Sequence, residues 1–308
     1  MLKASVEKSS VLGLLLVVGY VVLSATKDIV LDNRLRGGNP ADYLLLIFGF
    51  ATVIYWVWGL CSASYRIVGR EGVVKYLALL NVVTLGNWVG LYYALKYLNA
   101  PAVSALYAGV IPFATIVANR VLRSNSPIPR CDYWGAGSLI VCSLIWLVIN
   151  YREIIGSHAY VGVICVVVSS LTIAFTTVVS KKLSEFNAST MSVMSNRFYL
   201  LIVCAMFTSS PLDEVGLLAV SEYKALLFVG VAGTVLSLWL LQKGIEKTDP
   251  VITNIIVSTT PVVTFAIYPL FFPGQIVNVS TGFISLLAVL IGVVSAGHRL
   301  RSNGALGD

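Results

Sequence analysis

Ten apolar windows long enough to cross a bilayer follow one another along the chain, and no other feature limits its fold so strongly. They run over 11–31, 43–65, 74–95, 101–121, 133–150, 159–179, 190–208, 224–243, 250–270 and 280–298. About 20 apolar residues in an α-helix cross the roughly 30 Å hydrocarbon core. Backbone amides find no water there, so such a segment satisfies them within itself. The expected fold class is all-α integral membrane with ten transmembrane helices. Composition excludes the soluble alternative, since only 11% of the 308 residues are charged and 57% are hydrophobic, against about 25% charged in soluble domains. Lys3 and Lys8 ahead of an apolar run have the look of a secretory leader. That run is nearly as long as a full span, which assigns it as a first helix.

The net charge of +7 reads as topology, because the basic residues fall in short bursts between apolar runs. No nucleic-acid partner is expected. With both termini on one side, fourteen Lys and Arg share that side, Arg66, Arg70, Arg120, Arg123 and Arg130 among them. Five lie opposite: Arg34, Arg36, Lys96, Arg152 and Lys224. The positive-inside rule then places both termini in the cytoplasm. The expected location is a multi-pass position in a bacterial inner membrane, as a monomer or homodimer. Connections are short, and the stretch 209–223, with Pro211, Asp213, Glu214 and Glu222, reads as a surface helix. Five cysteines lack CxxC spacing and read as small apolar residues.

The chain repeats itself. Span 4 starts at Pro101 and carries Pro112; span 9 starts at Pro250 and carries Pro261, each 149 residues further on. The same offset maps span 1 onto span 6 and span 5 onto span 10. This divides the chain into 1–150 and 151–308, two five-helix units. An odd number of spans per unit forces the second to insert upside down, giving the inverted repeat common in secondary transporters. Proline frees a carbonyl one turn earlier, and in lipid that defect survives only against protein or a wet cavity. Pro112 and Pro261 are therefore candidate hinges, the alternative being bends made for packing.

Charges within spans are costly, about 2.5–3.5 kcal/mol on insertion scales, and mark candidate functional residues. Arg197 lies six residues into span 7, about 9 Å deep. It either grips a carboxylate or phosphate or snorkels to the surface. Lys27 and Asp28 fall near the far end of span 1, as interfacial anchors, a mutual ion pair, or a substrate and a coupling group respectively. Asn87, Trp88 and Tyr92 on span 3, Tyr107 on span 4, Trp239 on span 8 and Asn254 on span 9 complete the candidate substrate set. Gly86-Asn-Trp-Val-Gly90 is a GxxxG, read as packing within the fold rather than a dimer seam. There is no Walker A loop, HExxH or GxSxG, and His158 and His298 are the sole histidines. No cofactor, metal or enzymatic activity is expected, although an intramembrane enzyme stays as a remote alternative.

The stretch from Gly90 through Pro101 to Pro112, and its counterpart from Gly233 to Pro261, are similar to the third and fourth helices of an EamA-type half. That family lies within the drug/metabolite transporter superfamily. The resemblance implies the ten-helix fold and export of a small molecule. Many relatives carry a Gly-Glu pair after the fourth helix of each half. Here the positions read Leu122-Arg-Ser-Asn and Pro273-Gly-Gln275, so no role of that glutamate transfers. The residues point to alternating-access transport of a small anionic or zwitterionic metabolite, such as an amino acid, a related compound or an opine-type metallophore. An organophosphate or nucleotide-sugar antiporter is the alternative, followed by a cationic-drug exporter, for which Asp28 is the main intramembrane counter-charge.

Overall fold

The structure is a computed structural model, and it describes residues 2–62, 71–123, 130–149 and 158–273, with 282–283, 286–287, 290–291 and 294. Among these residues the chain is helical throughout, in the order α1 (Leu2–Gly37), α2 (Pro40–Cys61), α3 (Glu71–Tyr97), α4 (Ala100–Leu122), α5 (Arg130–Ile149), α6 (Ala159–Glu185), α7 (Thr190–Asn196), α8 (Tyr199–Thr208), α9 (Leu212–Ser221), α10 (Tyr223–Phe228), a π-helical stretch (Val229–Leu236), α11 (Ser237–Lys247), α12 (Pro250–Val257) and α13 (Thr260–Phe271). Together they supply nine stretches long and apolar enough to cross a membrane, so the protein is an integral, multi-pass membrane protein. The tenth expected span, 280–298, lies mostly outside the described residues. The surface helix expected in 209–223 is α9.

Several starts follow from local chemistry. Asn39, Asn99 and Asp249 each accept a backbone N–H one or two residues into the following helix, and Pro40, Pro101 and Pro250 occupy its first turn. A proline there gives up only a donor that has no partner anyway. Span 1 runs past its expected end at 31 to Gly37. Its terminal charges are neutralised in place: Arg36 pairs with Asp32 at 2.9 Å and Arg34 pairs with Glu222. Lys27 and Asp28 therefore lie well inside the helix, about 15 Å from its end at 1.5 Å per residue.

Two spans are broken where a single helix was expected. Span 7 parts at Arg197 and Phe198, between α7 and α8. Asn81 of α3 repairs the gap: its amide donates to the Asn196 carbonyl at 2.7 Å, and its oxygen accepts the Leu200 N–H at 3.3 Å. Asn81→Leu strands both groups at membrane depth and is expected to cost about 2 kcal/mol. Thermal unfolding in detergent measures it, and an unchanged midpoint would show that the break is satisfied elsewhere. Span 9 parts at Ser258 and Thr259, just before Pro261. The carbonyl that Pro261 deprives of a donor is that of Val257, and the Thr260 hydroxyl donates to it. Its expected partner Pro112 behaves differently, since α4 continues unbroken through it. Only one of the two prolines therefore opens its helix, and the difference lies in the hydroxyls of Ser258, Thr259 and Thr260, which bond the carbonyls around the break.

Helix neighbours follow a regular scheme. Span 3 packs on span 6 and span 1 on span 8; span 4 packs on span 6 and span 1 on span 9; span 2 meets span 7 and span 4 meets span 9. Exchanging spans 1–5 with 6–10 returns the same set of pairs. The span 3–span 6 seam is close because Gly86 and Gly90 face Thr172, Cys165 and Ser169, leaving no room for a Cβ. The GxxxG thus serves packing within the fold.

Candidate functional site

We call the end of the bundle where α1 finishes and α4 begins distal, and the opposite end proximal. A cavity lies in the distal half, with about 500 Å³ of space outside protein atoms. Span 1 presents Tyr20, Ser24 and Asp28 to it, span 3 presents Asn87 and Trp88, and span 4 presents Ser104 and Tyr107. Leu91, Val103, Ile111, Ile173 and Val257 make the rest of the wall largely apolar, with Thr260 beside the span 9 break.

Lys27 stands directly behind this wall. It is fully buried, and its ammonium lies 2.5 Å from Asp28 Oδ1, 4.7 Å from the centre of the Trp88 ring and 5.9 Å from that of Tyr92. Its aliphatic stem fills the space left by Gly233 in the π-helical stretch: a Cβ there would come within 2.7 Å of the Lys27 Cβ. A π-helical stretch widens the helix by one residue per turn and recurs at functional sites. Here Tyr55 donates to the Val235 carbonyl at 2.6 Å and Thr234 to the Val229 carbonyl at 2.9 Å, which satisfies backbone groups at its two ends. Trp88, Tyr92 and Phe48 form an aromatic cluster behind the pair, with Trp88 and Tyr92 edge to face and Phe48 4.7 Å from Trp88. The Trp88 Nε1–H and the Tyr92 hydroxyl are buried and have no hydrogen-bond partner among the described residues. Buried polar groups are nearly always satisfied, so these two are available donors.

Tyr107 bonds Ser169, whose hydroxyl lies 2.6 Å from the Asn87 carbonyl and 3.0 Å from its Oδ1. This chain fixes spans 3, 4 and 6 around the cavity. Its floor is one helical turn lower on three spans. Asn254 donates to Thr115 at 2.6 Å and accepts from Thr177 at 3.2 Å, below Ile111, Ile173 and Val257 of the wall. Asn254 therefore closes the cavity and does not line it.

Two other expected residues lie elsewhere. Trp239 stacks on Trp58 at 5.9 Å between ring centres and lines a separate proximal pocket with Lys243 and Glu246. It lies three residues beyond the π stretch and packs against span 2. Arg197 is 2% exposed and does not snorkel, yet it is not a wall residue of the cavity either. The sequence reading missed Tyr20 and Ser24, although the spacing Tyr20, Ser24, Asp28 puts all three on one helix face. It also missed Asp32, which is buried and accepts from the Ala100 N–H at 3.1 Å and from the Tyr268 hydroxyl at 3.4 Å. Asp32 thereby ties spans 1, 4 and 9 together above the cavity. At the proximal end Arg123 of span 4 pairs with Glu185 at 2.7 Å and lies 3.8 Å from Asp249.

A bundle of membrane-spanning helices that encloses a cavity at membrane depth, tied near both ends by side-chain contacts between distant parts of the chain, defines a polytopic helical membrane protein. Residues 160–296 match the EamA-like transporter family, and this second half of the chain is an EamA-like domain of the drug/metabolite transporter superfamily. That match supports a membrane transporter of small molecules. A solved structure titled "Crystal structure of protein" is similar with a TM-score of 0.61 and 15% identity, over 92% of this chain and 96% of its own. That likeness concerns the fold alone. No curated protein matches the sequence.

Proposed function

We propose that this protein is a secondary transporter that exports a small zwitterionic metabolite, an amino acid or a related compound such as an opine-type metallophore, by alternating access. The carrying observation is the buried Lys27–Asp28 pair at the wall of an otherwise apolar and aromatic cavity. The pair carries both signs of charge and no net charge, with Asp28 in the wall and Lys27 directly behind it. The ammonium of a zwitterion meets Asp28 in the wall, its carboxylate takes the unpartnered Trp88 Nε1–H and the positive field of Lys27 behind it, and its apolar part lies against Tyr20 and Tyr107. A purely anionic solute gains less, because Asp28 already neutralises Lys27. This weighs against an organophosphate or nucleotide-sugar antiporter, which requires a surplus of basic groups. Export, a bacterial inner membrane and cytoplasmic termini follow from the family resemblance and the charge bias.

The halves 1–150 and 151–308 are read as inverted repeats that rock against one another. The exchange symmetry of the helix neighbours supports this, as do the inter-half ties at Asp32–Tyr268 and Arg123–Asp249, each of which must part when its end opens. Asp28 is the candidate coupling group, since substrate binding and protonation compete for the same carboxylate.

The test is uptake into proteoliposomes of labelled amino acids, metallophores and sugar phosphates. A zwitterion is expected to move with the parent protein. Trp88→Ala is expected to slow it at least tenfold, and Asp28→Asn to remove its dependence on a proton gradient. Movement of sugar phosphates but of no zwitterion would reverse the substrate assignment. Chemical turnover of the label without movement would point to an enzyme.

A further inference from the structure

Arg197 is left unused by this reading. It sits where span 7 is broken, 2% exposed, with Nε unpartnered among the described residues. Among the described residues its one hydrogen-bond contact is a long one, from Nη1 to the Met194 sulfur at 3.9 Å. The Phe198 ring lies 5.3 Å away, and Phe198 in turn packs on Phe48 and Tyr55. Among the described residues the ionisable groups that act on Arg197 are the phenols of Tyr55 and Tyr20. Lys27, Arg36, Arg123 and Lys243 each have a carboxylate oxygen within 3.0 Å, whereas Arg197 makes no ion pair among the described residues.

A guanidinium stays charged even when buried, and burying an uncompensated charge is strongly unfavourable. One thioether and one ring face do not offset the loss of water around a buried guanidinium whose Nε–H has no partner among the described residues. A buried guanidinium with an unpartnered Nε–H beside an aromatic ring, and with no carboxylate paired to it among the described residues, has the chemistry of a receptor for a small anion. The adjoining break adds to this: α8 starts at Tyr199 with no side-chain cap from Phe198, so the positive end of that helix lies next to the guanidinium.

We infer that Arg197 forms a second site, distinct from the Lys27–Asp28 cavity, that binds a small monoanion between spans 1, 2 and 7. The anion has two possible sources, free halide or the carboxylate of a solute. Compensating Arg197 would hold the broken span 7 against Tyr20 and Tyr55, and Tyr20 is also a wall residue of the cavity. The site does not depend on the substrate assignment above, and the two can fail separately.

The experiment is thermal unfolding of the full-length protein in detergent. Sodium gluconate is replaced at constant ionic strength by chloride or bromide in one arm, and by acetate or glycine in the other. The parent midpoint is expected to rise saturably by about 3 °C. The rise should vanish in Arg197→Met and persist in Asp28→Asn. A rise with halides identifies free halide as the source; a rise confined to acetate and glycine identifies a carboxylate. No rise with any of the four, or an equal rise in Arg197→Met, overturns the site. Should Arg197→Met fail to fold, bromide and bromoacetate soaked separately into crystals of the parent decide: an anomalous peak beside the guanidinium with either upholds the proposal, and its absence with both refutes it.

Discussion

Lys27→Met is expected to abolish transport and to destabilise the folded protein by about 3 kcal/mol, the lower end of what removing one member of a buried pair costs. The pair is short, 2.5 Å, and Lys27 is entirely inaccessible. Replacing the ammonium leaves Asp28 facing a largely apolar cavity without its counter-charge. It also removes the cation held over Trp88 and Tyr92. Methionine keeps most of the stem volume against Gly233, so the loss is one of charge rather than packing. The double variant Lys27→Met/Asp28→Asn removes both charges and should recover most of the lost stability while remaining inactive. Thermal unfolding in detergent and flux in proteoliposomes measure the two effects independently. If the single variant unfolds at the parental midpoint, the pair is solvated and the zwitterion reading loses its basis. If the double variant transports, the pair is structural only.

Gly90→Ala should cost 2–3 kcal/mol, and Gly90→Leu should prevent recovery of folded protein. A Cβ at Gly90 would lie 2.8 Å from the Cys165 carbonyl oxygen, 2.9 Å from the Ser169 Cβ and 3.1 Å from the Ser169 nitrogen. Two of these three are backbone atoms of α6, which move only if the helix moves. Separating α3 from α6 also breaks the contacts from Asn87 to Ser169 and on to Tyr107 that shape the cavity. Overpacking of this kind typically costs 1–3 kcal/mol and sometimes more. Gly49→Ala is the control, because nothing lies within 4 Å of a Cβ built there; it should leave stability unchanged or raise it slightly. Equal midpoints for Gly49→Ala and Gly90→Ala would mean that the seam is looser than its geometry, and that Gly86 and Gly90 do not set the approach of the two helices.

The positions of the spans were legible because hydrophobicity and helix length are local quantities that the bilayer reads directly. Asn39-Pro40, Asn99-Ala-Pro101 and Asp249-Pro250 mark helix starts for equally local reasons. The end of span 1 was misplaced because Asp32, Arg34 and Arg36 look like a terminus when the chain is read in isolation. Their partners include Glu222, nearly two hundred residues away, and that pairing lets the helix continue. The break at Arg197 was hidden for a similar reason: it depends on the Asn81 side chain of another span, and no feature of 190–208 announces it.

The candidate site divides along the same line. Sequence alone pointed to Lys27, Asp28, Asn87, Trp88 and Tyr107 as costly or polar groups in apolar runs, and the fold gathers these five at or directly behind one cavity. Tertiary structure decided what each group faces. It turned Asn254 into a floor through Thr115 and Thr177, sent Trp239 to a proximal pocket against Trp58, and enclosed Arg197 among aromatic rings. Helix formation in a membrane is fixed by the segment itself, since every backbone bond closes within it. The direction a polar side chain faces is fixed by which helix lies beside it, and that is a property of the assembled bundle.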